Sequence, residues 1–389
     1  MWFGLMGWGI ALFWLVSAVR AIRFYKESQL SRLSGSDRRD IAWPKLSIIV
    51  PARNEAPQIS DCLASLLSSD YPALEIIAVN DRSTDQTGLL MERLATTDPR
   101  LTVVHIDQLP AGWLGKTHAL HRGAQQATGD YFLFTDGDVL FARQTLRLAV
   151  RNATDQRTDH LCLLPRALTQ GYWETALTQF VALLFVLTTR PWAVNRSARG
   201  AYSGVGAFNL VRSEAYQHCG GHAAVKLDVV DDMALGRLFR QRGLRSRILI
   251  GDDLLSLRWH SGVRGLIRGV EKNSFAAMGF SLIHLALFTL LFSLAFAIPY
   301  LGLANLAQAP YWGYACAVLI LHGTFAYWNH TTGNPWSIGL SVPFVALLCL
   351  WALWRSALIT LLRGGIQWRE TFYPLAVLRK KNDPAAPMS

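Results

Sequence analysis

Acidic side chains stand in closely spaced sets along the middle of the chain: Asp81 and Asp85 in "VNDRSTDQT", Asp136 and Asp138 in "TDGD", Asp231 and Asp232 in "VVDDMALGRLF". Two carboxylates one residue apart suit a hard divalent cation, which takes oxygen ligands and commonly binds through one or two carboxylates plus substrate phosphates. A carboxylate within reach of a hydroxyl also suits a general base. Each set has a plainer reading. Asp-Gly is a common turn dipeptide, and Asp at a helix start caps backbone N–H groups. The stretch 133–139, "LFTDGDV", does not choose between these by itself.

The elements that must hold these acids come from short apolar runs. "LSIIVPA" (46–52), "LEIIAVND" (74–81), "LTVVHID" (101–107) and "DYFLFTD" (130–136) read as buried strands, with helices expected over 56–68, 85–96 and 117–127. This alternation predicts an α/β domain with a parallel sheet and helices on both faces. Ligands of such sheets bind at the carboxyl ends of the strands, where Arg53, Asn54, Glu55, Asp81, Asp85, Asp136 and Asp138 fall. "GWLGKTHAL" (112–120) invites comparison with a nucleotide P-loop, but Pro110 stands where the first glycine is required. What remains is a glycine-rich turn whose backbone N–H groups and Lys116 suit a diphosphate, or an ordinary strand-to-helix loop.

Taken together, the motifs resemble the family 2 glycosyltransferases, which have a Rossmann-like GT-A fold and use nucleotide sugars. The resemblance covers about residues 46–275. "VPARNE" (50–55) is similar to the family's opening strand and nucleoside loop, with Pro51, Arg53 and Glu55. "VNDRSTDQT" is similar to its VDDGSTD segment, with Asn80 in place of the first Asp and Arg82 in place of Gly. "TDGD" resembles its DxD motif, and "VDD" (230–232) its TED motif. The resemblance implies that Asp138 ligates Mg²⁺ or Mn²⁺ on the diphosphate, that Asp136 contacts ribose or metal, and that Asp81 and Glu55 hold uracil and ribose. It also implies that Lys116 meets the diphosphate and that Asp232, beside Asp231, is the base of an inverting transfer from a UDP-sugar.

The acceptor side is less marked. Processive polysaccharide synthases of the family carry Q/RxxRW, whereas "LSLRW" (255–259) has Leu255 at the first position. The incomplete motif favours transfer of a single sugar over polymer synthesis, with Arg258 and Trp259 at the acceptor mouth. Arg264, Arg268 and Lys272 recur every four residues and form one basic helix face, suited to diphosphate or to anionic headgroups. "SGVGAFNLVR" (203–212), with Gly204 and Gly206, resembles the family's acceptor-side loop. The layout resembles hopanoid-associated and carotenoid glycosyltransferases and, more distantly, ceramide glucosyltransferase, with "GWLGKTHAL" and "GGIQWRETFYPL" (364–375) adding to the likeness. It implies a membrane lipid or lipid-like acceptor.

Residues 1–19 carry no charge and suit a spanning helix. Arg20, Arg23 and Lys26 follow rather than precede the run, which indicates a retained anchor rather than a signal peptide and predicts a cytoplasmic catalytic domain. Three further apolar stretches lie at about 280–303, 312–328 and 337–362, interrupted by His284, His322 and Arg355. Three spans there would leave the basic tail outside, against the positive-inside rule, so one is expected to be re-entrant or interfacial. The apolar segment 172–192 is expected to be interfacial, a wall of the acceptor channel, or a core helix. The expected divisions are an anchor at 1–24, a basic linker at 25–45, a GT-A domain at 46–278, a membrane region at 279–362 and a basic tail at 363–389, placed in a bacterial inner membrane. Lysine and arginine exceed acids by 38 to 27, but they flank apolar segments and form no recognisable nucleic-acid module, so no nucleic acid partner is expected. Five scattered cysteines indicate neither a zinc site nor a disulfide framework.

Overall fold

The computed structural model describes residues 2–33, 42–368 and 371–380. Residues 34–41 of the expected linker, and Arg369 and Lys381 of the basic tail, lie outside the described residues. The chain divides into two compact units, one of Tyr25–Leu168 and Thr189–Trp259, the other of Met1–Phe24, Thr169–Thr188 and His260–Ser389.

The first unit is α/β. Its strands are β1 Leu46–Ala52, β2 Leu74–Asp81, β3 Leu101–Ile106, β4 Tyr131–Phe134, β5 Val139–Phe141, β6 His160–Leu164, β7 Arg166–Ala167, β8 Asn209–Arg212, β9 Ser246–Ile250 and β10 Leu255–Leu257. Seven form one sheet in the order β3-β2-β1-β4-β8-β6-β9, and β5-β10-β7 form a second. The β1–β2, β2–β3 and β1–β4 pairs are parallel, as expected, and β6–β9 is parallel too; β8 runs antiparallel to both β4 and β6, so the sheet is mixed rather than parallel throughout.

The apolar runs are continuous because both faces of the sheet are covered. Along β1, Leu46, Ile48 and Val50 join one core with Ile76, Ala78 and Leu133, under the helices Ile59–Leu67, Thr87–Ala95 and Thr145–Asp155. Ile49 points the other way and joins Ile77, Val79, Phe132 and Phe134 under the helices Gly115–Gln126, Ser213–His218 and Asp231–Gln241. This is the period of two expected of a strand. Each such side chain removed from water contributes about 1.5–3 kcal/mol, which fixes register: a one-residue slip would exchange the two cores.

The segment after the N-terminal helix Trp2–Glu27 is attached to this unit. Ile250 N–H donates to Ser28 O at 2.8 Å, and Tyr25 donates to Asp252.

The second unit is helical. By length and apolarity two of its described helices suffice to cross a bilayer, Phe3–Glu27 and Trp336–Arg363; the pair Gly262–Ala277 and Leu282–Phe296, bent by 115°, makes a third if taken as one span. Fewer elements qualify than the apolar stretches suggested. Leu282–Phe296 has 15 residues, about 22 Å of helix against a hydrocarbon core of about 30 Å. His322, Thr324 and Asn329 lower the hydropathy of Trp312–Thr331. The helix Tyr172–Thr189 belongs to this unit, where Phe180 meets the rings of Phe292, Phe296 and Phe325 and Gln179 accepts from Trp328 Nε1 at 2.9 Å. Gly7 and Gly313 allow close helix approach, since a Cβ on Gly313 would lie 2.4 Å from Trp8 N.

Between the helix Asp231–Gln241 and the sheet, His160 is fully buried. Its Nε2 lies 2.8 Å from Asn209 Oδ1, its Nδ1 3.3 Å from Ser246 Oγ, and its ring stacks on Phe239. Burial pushes it down to about 4, against a weaker upward pull from the Asn209 hydrogen bond. The unfolded chain takes up this proton near pH 6.5, the folded chain only near 4. Stability therefore falls as pH drops through that window, by about 3 kcal/mol from this group. His222, pushed down to about 3 by burial and Lys116, acts in the same sense. Thermal melts of the full chain in detergent should show a melting temperature that falls between pH 6.5 and 4, with a shallower fall in His160→Gln; equal slopes would contradict this account.

Candidate active site

Because β1, β2, β3 and β4 run parallel, their carboxyl ends open on one edge of the sheet. Pro51, Arg53 and Glu55 lie at the end of β1 and just beyond it, Asp81 ends β2, and Asp136 and Asp138 follow β4. The antiparallel β8 starts at that same edge, with Asn209 opposite Phe134. The segment 203–208 therefore arrives beside Asp136.

Two loops at this edge are joined by side-chain hydrogen bonds. Asn54, at φ +54°, donates its N–H to Ser83 Oγ at 3.1 Å and accepts from Thr84 N at 2.8 Å. Glu55 N–H donates to Thr87 Oγ1, while Asp85 accepts from the amides of Ala56 and Thr87. Asp85 thus organises the loop and the start of the helix Thr87–Ala95.

Successive residues of β2 face opposite sides. Asp81 is buried, and Arg82 donates Nε–H to its Oδ1 at 2.7 Å and Nη2–H to its Oδ2 at 3.1 Å. Asn80 instead bonds His105 Nδ1 at 2.9 Å, and His105 Nε2 meets Glu92 at 2.8 Å. The replacement of the motif's first Asp thus falls on a residue bonded to β3 and away from Asp81. Arg82, where the motif has glycine, takes φ +54°, a conformation that costs a non-glycine residue about 1–2 kcal/mol; its two-bond pairing with Asp81 offsets that cost.

Lys116 lies at the centre of the acids. Its Nζ is 2.6 Å from Asp136 Oδ1 and 3.8 Å from Asp231 Oδ1. Local bonds fix its backbone: Leu114 N–H donates to Lys226 O at 2.9 Å, and the buried Thr117 hydroxyl donates to the same carbonyl at 2.8 Å. Gly115 leaves room for the Asp81–Arg82 pair, since a Cβ there would meet Asp81 Oδ2 at 2.7 Å and Arg82 Nη2 at 2.8 Å. A Cβ on Gly206 would stand 2.9 Å from Asp136 Oδ2 and 3.4 Å from Lys116 Nζ. One on Gly204 would overlap the Asp232 carbonyl at 1.9 Å, and one on Gly236, a turn along the same helix, would overlap Ser203 O at 1.9 Å. Gly204 and Gly206, expected on the acceptor side, thus act here as points of close backbone approach that bring Asp232, Asp136 and Lys116 together.

Burial raises Asp231 and Asp232 above the usual carboxylate range, with Lys116 opposing it. Asp231 is 5% exposed, whereas Asp232 is half-buried, its Oδ1 accepting from Met233 N at 2.8 Å. For Lys116, burial pulls downward, but Asp136, Asp231 and Asp232 outweigh it and hold the ammonium above its usual range. Asp138 is raised by burial first, then by Asp136 and Glu55.

These charges fit a divalent cation, because one would relieve the repulsion by which the Asp136 and Glu55 carboxylates raise Asp138. Among the described residues no group of three or more His, Cys, Asp or Glu side chains converges to hold a metal alone. A cation at Asp136 and Asp138 would need oxygens from a substrate, the usual manner of Mg²⁺ beside phosphates.

Of the remaining expected residues, Arg258 and Trp259 follow β10, which pairs Leu257 with Val139. Arg264 and Arg268 lie on the helix Gly262–Ala277 of the helical unit. Sequence reasoning did not single out Arg82, Gly115, Thr117 or Gly236 as parts of the site. Arg82 was visible as a departure from the glycine of the motif; the others make contacts that only the folded chain brings together.

Residues 47–219 match the family model described as "Glycosyl transferase family 2". The chain is 26% identical over 231 residues to 4,4'-diaponeurosporenoate glycosyltransferase of Staphylococcus aureus strains MRSA252 and USA300, an alignment covering 59% of this chain. It spans about 60% of the length of these curated relatives. Among solved structures it is similar to the mannosyltransferase PcManGT from Pyrobaculum calidifontis in complex with GDP-Man and Mn²⁺, at TM-score 0.49 and 21% identity over 94% of this chain and 100% of that one. It is also similar to TarS 1-349 of S. aureus, at TM-score 0.39 and 16% identity over 85% of this chain and 98% of that one.

The glycine contacts make a direct prediction. Gly204→Ala and Gly236→Ala must move backbone against backbone, so each should lower both melting temperature and catalytic turnover. Gly323→Ala, in the helix Trp312–Thr331 with nothing within 4 Å of the added carbon, should be neutral or more stable by up to about 1 kcal/mol. Thermal melts and turnover assays of the three variants check the contrast; equal behaviour would contradict it.

Proposed function

We propose, from the match of residues 47–219 to the glycosyl transferase family 2 model, that this domain has a GT-A fold and that the protein transfers a single sugar from a UDP-sugar to a membrane lipid or lipid-like acceptor, with inversion and with Mg²⁺ or Mn²⁺. The observation that carries the reading is the meeting of Lys116 with Asp136 and Asp231 at 2.6 and 3.8 Å. It brings the diphosphate, metal and base candidates to one sheet edge. The lipid-like acceptor is supported by the relatives' 4,4'-diaponeurosporenoate and by the two helices long and apolar enough to cross a bilayer. The proposed setting is a bacterial inner membrane with the catalytic unit on the cytoplasmic side.

In this mechanism Asp81 and Glu55, with Pro51 and Arg53 beside them, hold the nucleoside at the ends of β1 and β2. Asp138 and Asp136 would hold a divalent cation, which when bound would neutralise charge on the diphosphate. Asp232, half-buried and within the field of Lys116, takes the proton from an acceptor hydroxyl as that oxygen bonds the anomeric carbon. The bond from that carbon to the diphosphate oxygen breaks on the opposite side, its electron pair leaving with the nucleotide. Lys116 stabilises the departing charge. Asp231, almost fully enclosed, holds Lys116 in place. The incomplete "LSLRW" favours one transfer over processive synthesis.

The test uses the full chain in detergent with Mn²⁺, bacterial membrane lipid and radiolabelled UDP-sugars. Label should enter an organic-soluble lipid, and Asp232→Asn should reduce it by at least about a hundredfold, as expected on loss of a general base. Label in insoluble polymer would overturn single transfer; no label from any UDP-sugar would overturn the donor assignment. Since Asp232 must be ionised to act and is raised above the usual range, turnover should fall as pH drops at values above the ordinary aspartate pKa of about 3.9. A pH–rate profile with no acid limb above that value would contradict the assignment.

A further inference from the structure

Lys116 is more than a phosphate ligand in waiting, because it already engages one of the carboxylates assigned to the cation. Asp136 Oδ1 is 2.6 Å from Lys116 Nζ. The other oxygen, Oδ2, faces Gly206, where even a Cβ would come within 2.9 Å. One oxygen of Asp136 is therefore held by the ammonium, and the other lies near the Gly206 backbone. Asp231 extends the acidic surroundings of the same ammonium to 3.8 Å. The backbone that carries Lys116 is held on both sides, by Leu114 N–H and by Thr117 Oγ1, each to Lys226 O. The ammonium can leave Asp136 only by swinging its flexible stem, with no shift of the helix.

We propose that Lys116 is an exchangeable counter-cation of Asp136: a divalent cation gains Asp136 only when a nucleoside diphosphate draws the Lys116 ammonium onto its phosphates. The inference rests on reading Asp136 and Asp138 as the metal-bearing pair. An ammonium and a divalent cation cannot share one carboxylate oxygen without strong repulsion in a partly buried site. A diphosphate relieves that repulsion, because it offers charged acceptor oxygens to both cations. Metal and donor thus bind as a pair, and metal alone binds poorly. Lys116 acts here as a positioning residue, and the readout is metal binding rather than turnover.

The experiment is a titration of the full chain in detergent with Mn²⁺, following free Mn²⁺ by electron paramagnetic resonance, alone and with UDP or GDP as the diphosphate probe. The wild-type chain should bind Mn²⁺ weakly alone and at least about tenfold tighter with a diphosphate. Lys116→Gln should bind Mn²⁺ alone about tenfold tighter than wild type and lose most of the enhancement. Lys116→Arg, which keeps a cation on Asp136, should stay within about threefold of wild type without nucleotide. A melting temperature for each variant identifies a folding failure, and the Arg variant then decides: a gain in Mn²⁺ affinity with arginine present would overturn the exchange. So would Lys116→Gln binding Mn²⁺ alone no tighter than wild type. Asp138→Asn separates the metal site from the role of Lys116. If it leaves Mn²⁺ binding intact, the metal reading of the pair fails whatever Lys116 does.

Discussion

A lysine ammonium set among three aspartates is the interaction on which the rest of this site depends. An acidic group of this density, partly withdrawn from water, would be costly if left unpaired. Lys116 neutralises it from the middle, touching Asp136 and standing near Asp231 and Asp232. The same ammonium thereby joins two functions that stand far apart in sequence, the candidate metal pair and the candidate base. Removing any one of these charges changes the field felt by all the others.

The fold brings these groups together by two devices. Parallel strands deliver Asp81, Asp136 and the turn before Lys116 to one edge of the sheet, while the antiparallel β8 returns the 203–208 segment to that edge. Glycines then remove the distance that side chains would otherwise impose. Gly204 and Gly236 let the backbone lie directly on the helix that begins at Asp231, and Gly206 lets it pass against Asp136 and Lys116. The two apolar cores that clamp the sheet make this edge a rigid platform, so the charges need little reorganisation of the backbone that holds them.

Much of this was legible in the sequence. β1 and β2 have the expected bounds, because runs such as "LSIIVPA" and "LEIIAVND" are apolar on both faces and end in polar residues. Asp136 and Asp138 fell where the strand end put them. What was not legible rests on contacts between residues far apart in the chain. Gly204 and Gly206 stand in a segment that resembles the family's acceptor-side loop, but their close approach to Asp232 and Asp136 is not visible in the sequence. Asn80 stands where the family motif has its first Asp, and the alternation of β2 turns it from Asp81 toward His105. The helix Tyr172–Thr189 was apolar enough for several roles, and only the rings around Phe180 show that it belongs with the terminal helices. That grouping follows from helix packing that local pattern does not encode.

In the proposed function these strand-end acids hold one cation against a nucleoside diphosphate. The most direct test is electron–nuclear double resonance of Mn²⁺ bound to the full chain with UDP, looking for hyperfine coupling to the phosphorus nuclei. The account predicts a clear phosphorus coupling in the wild-type chain that disappears in Asp138→Asn. A coupling that persists unchanged in that variant, or Mn²⁺ that binds with no phosphorus coupling at all, would contradict it.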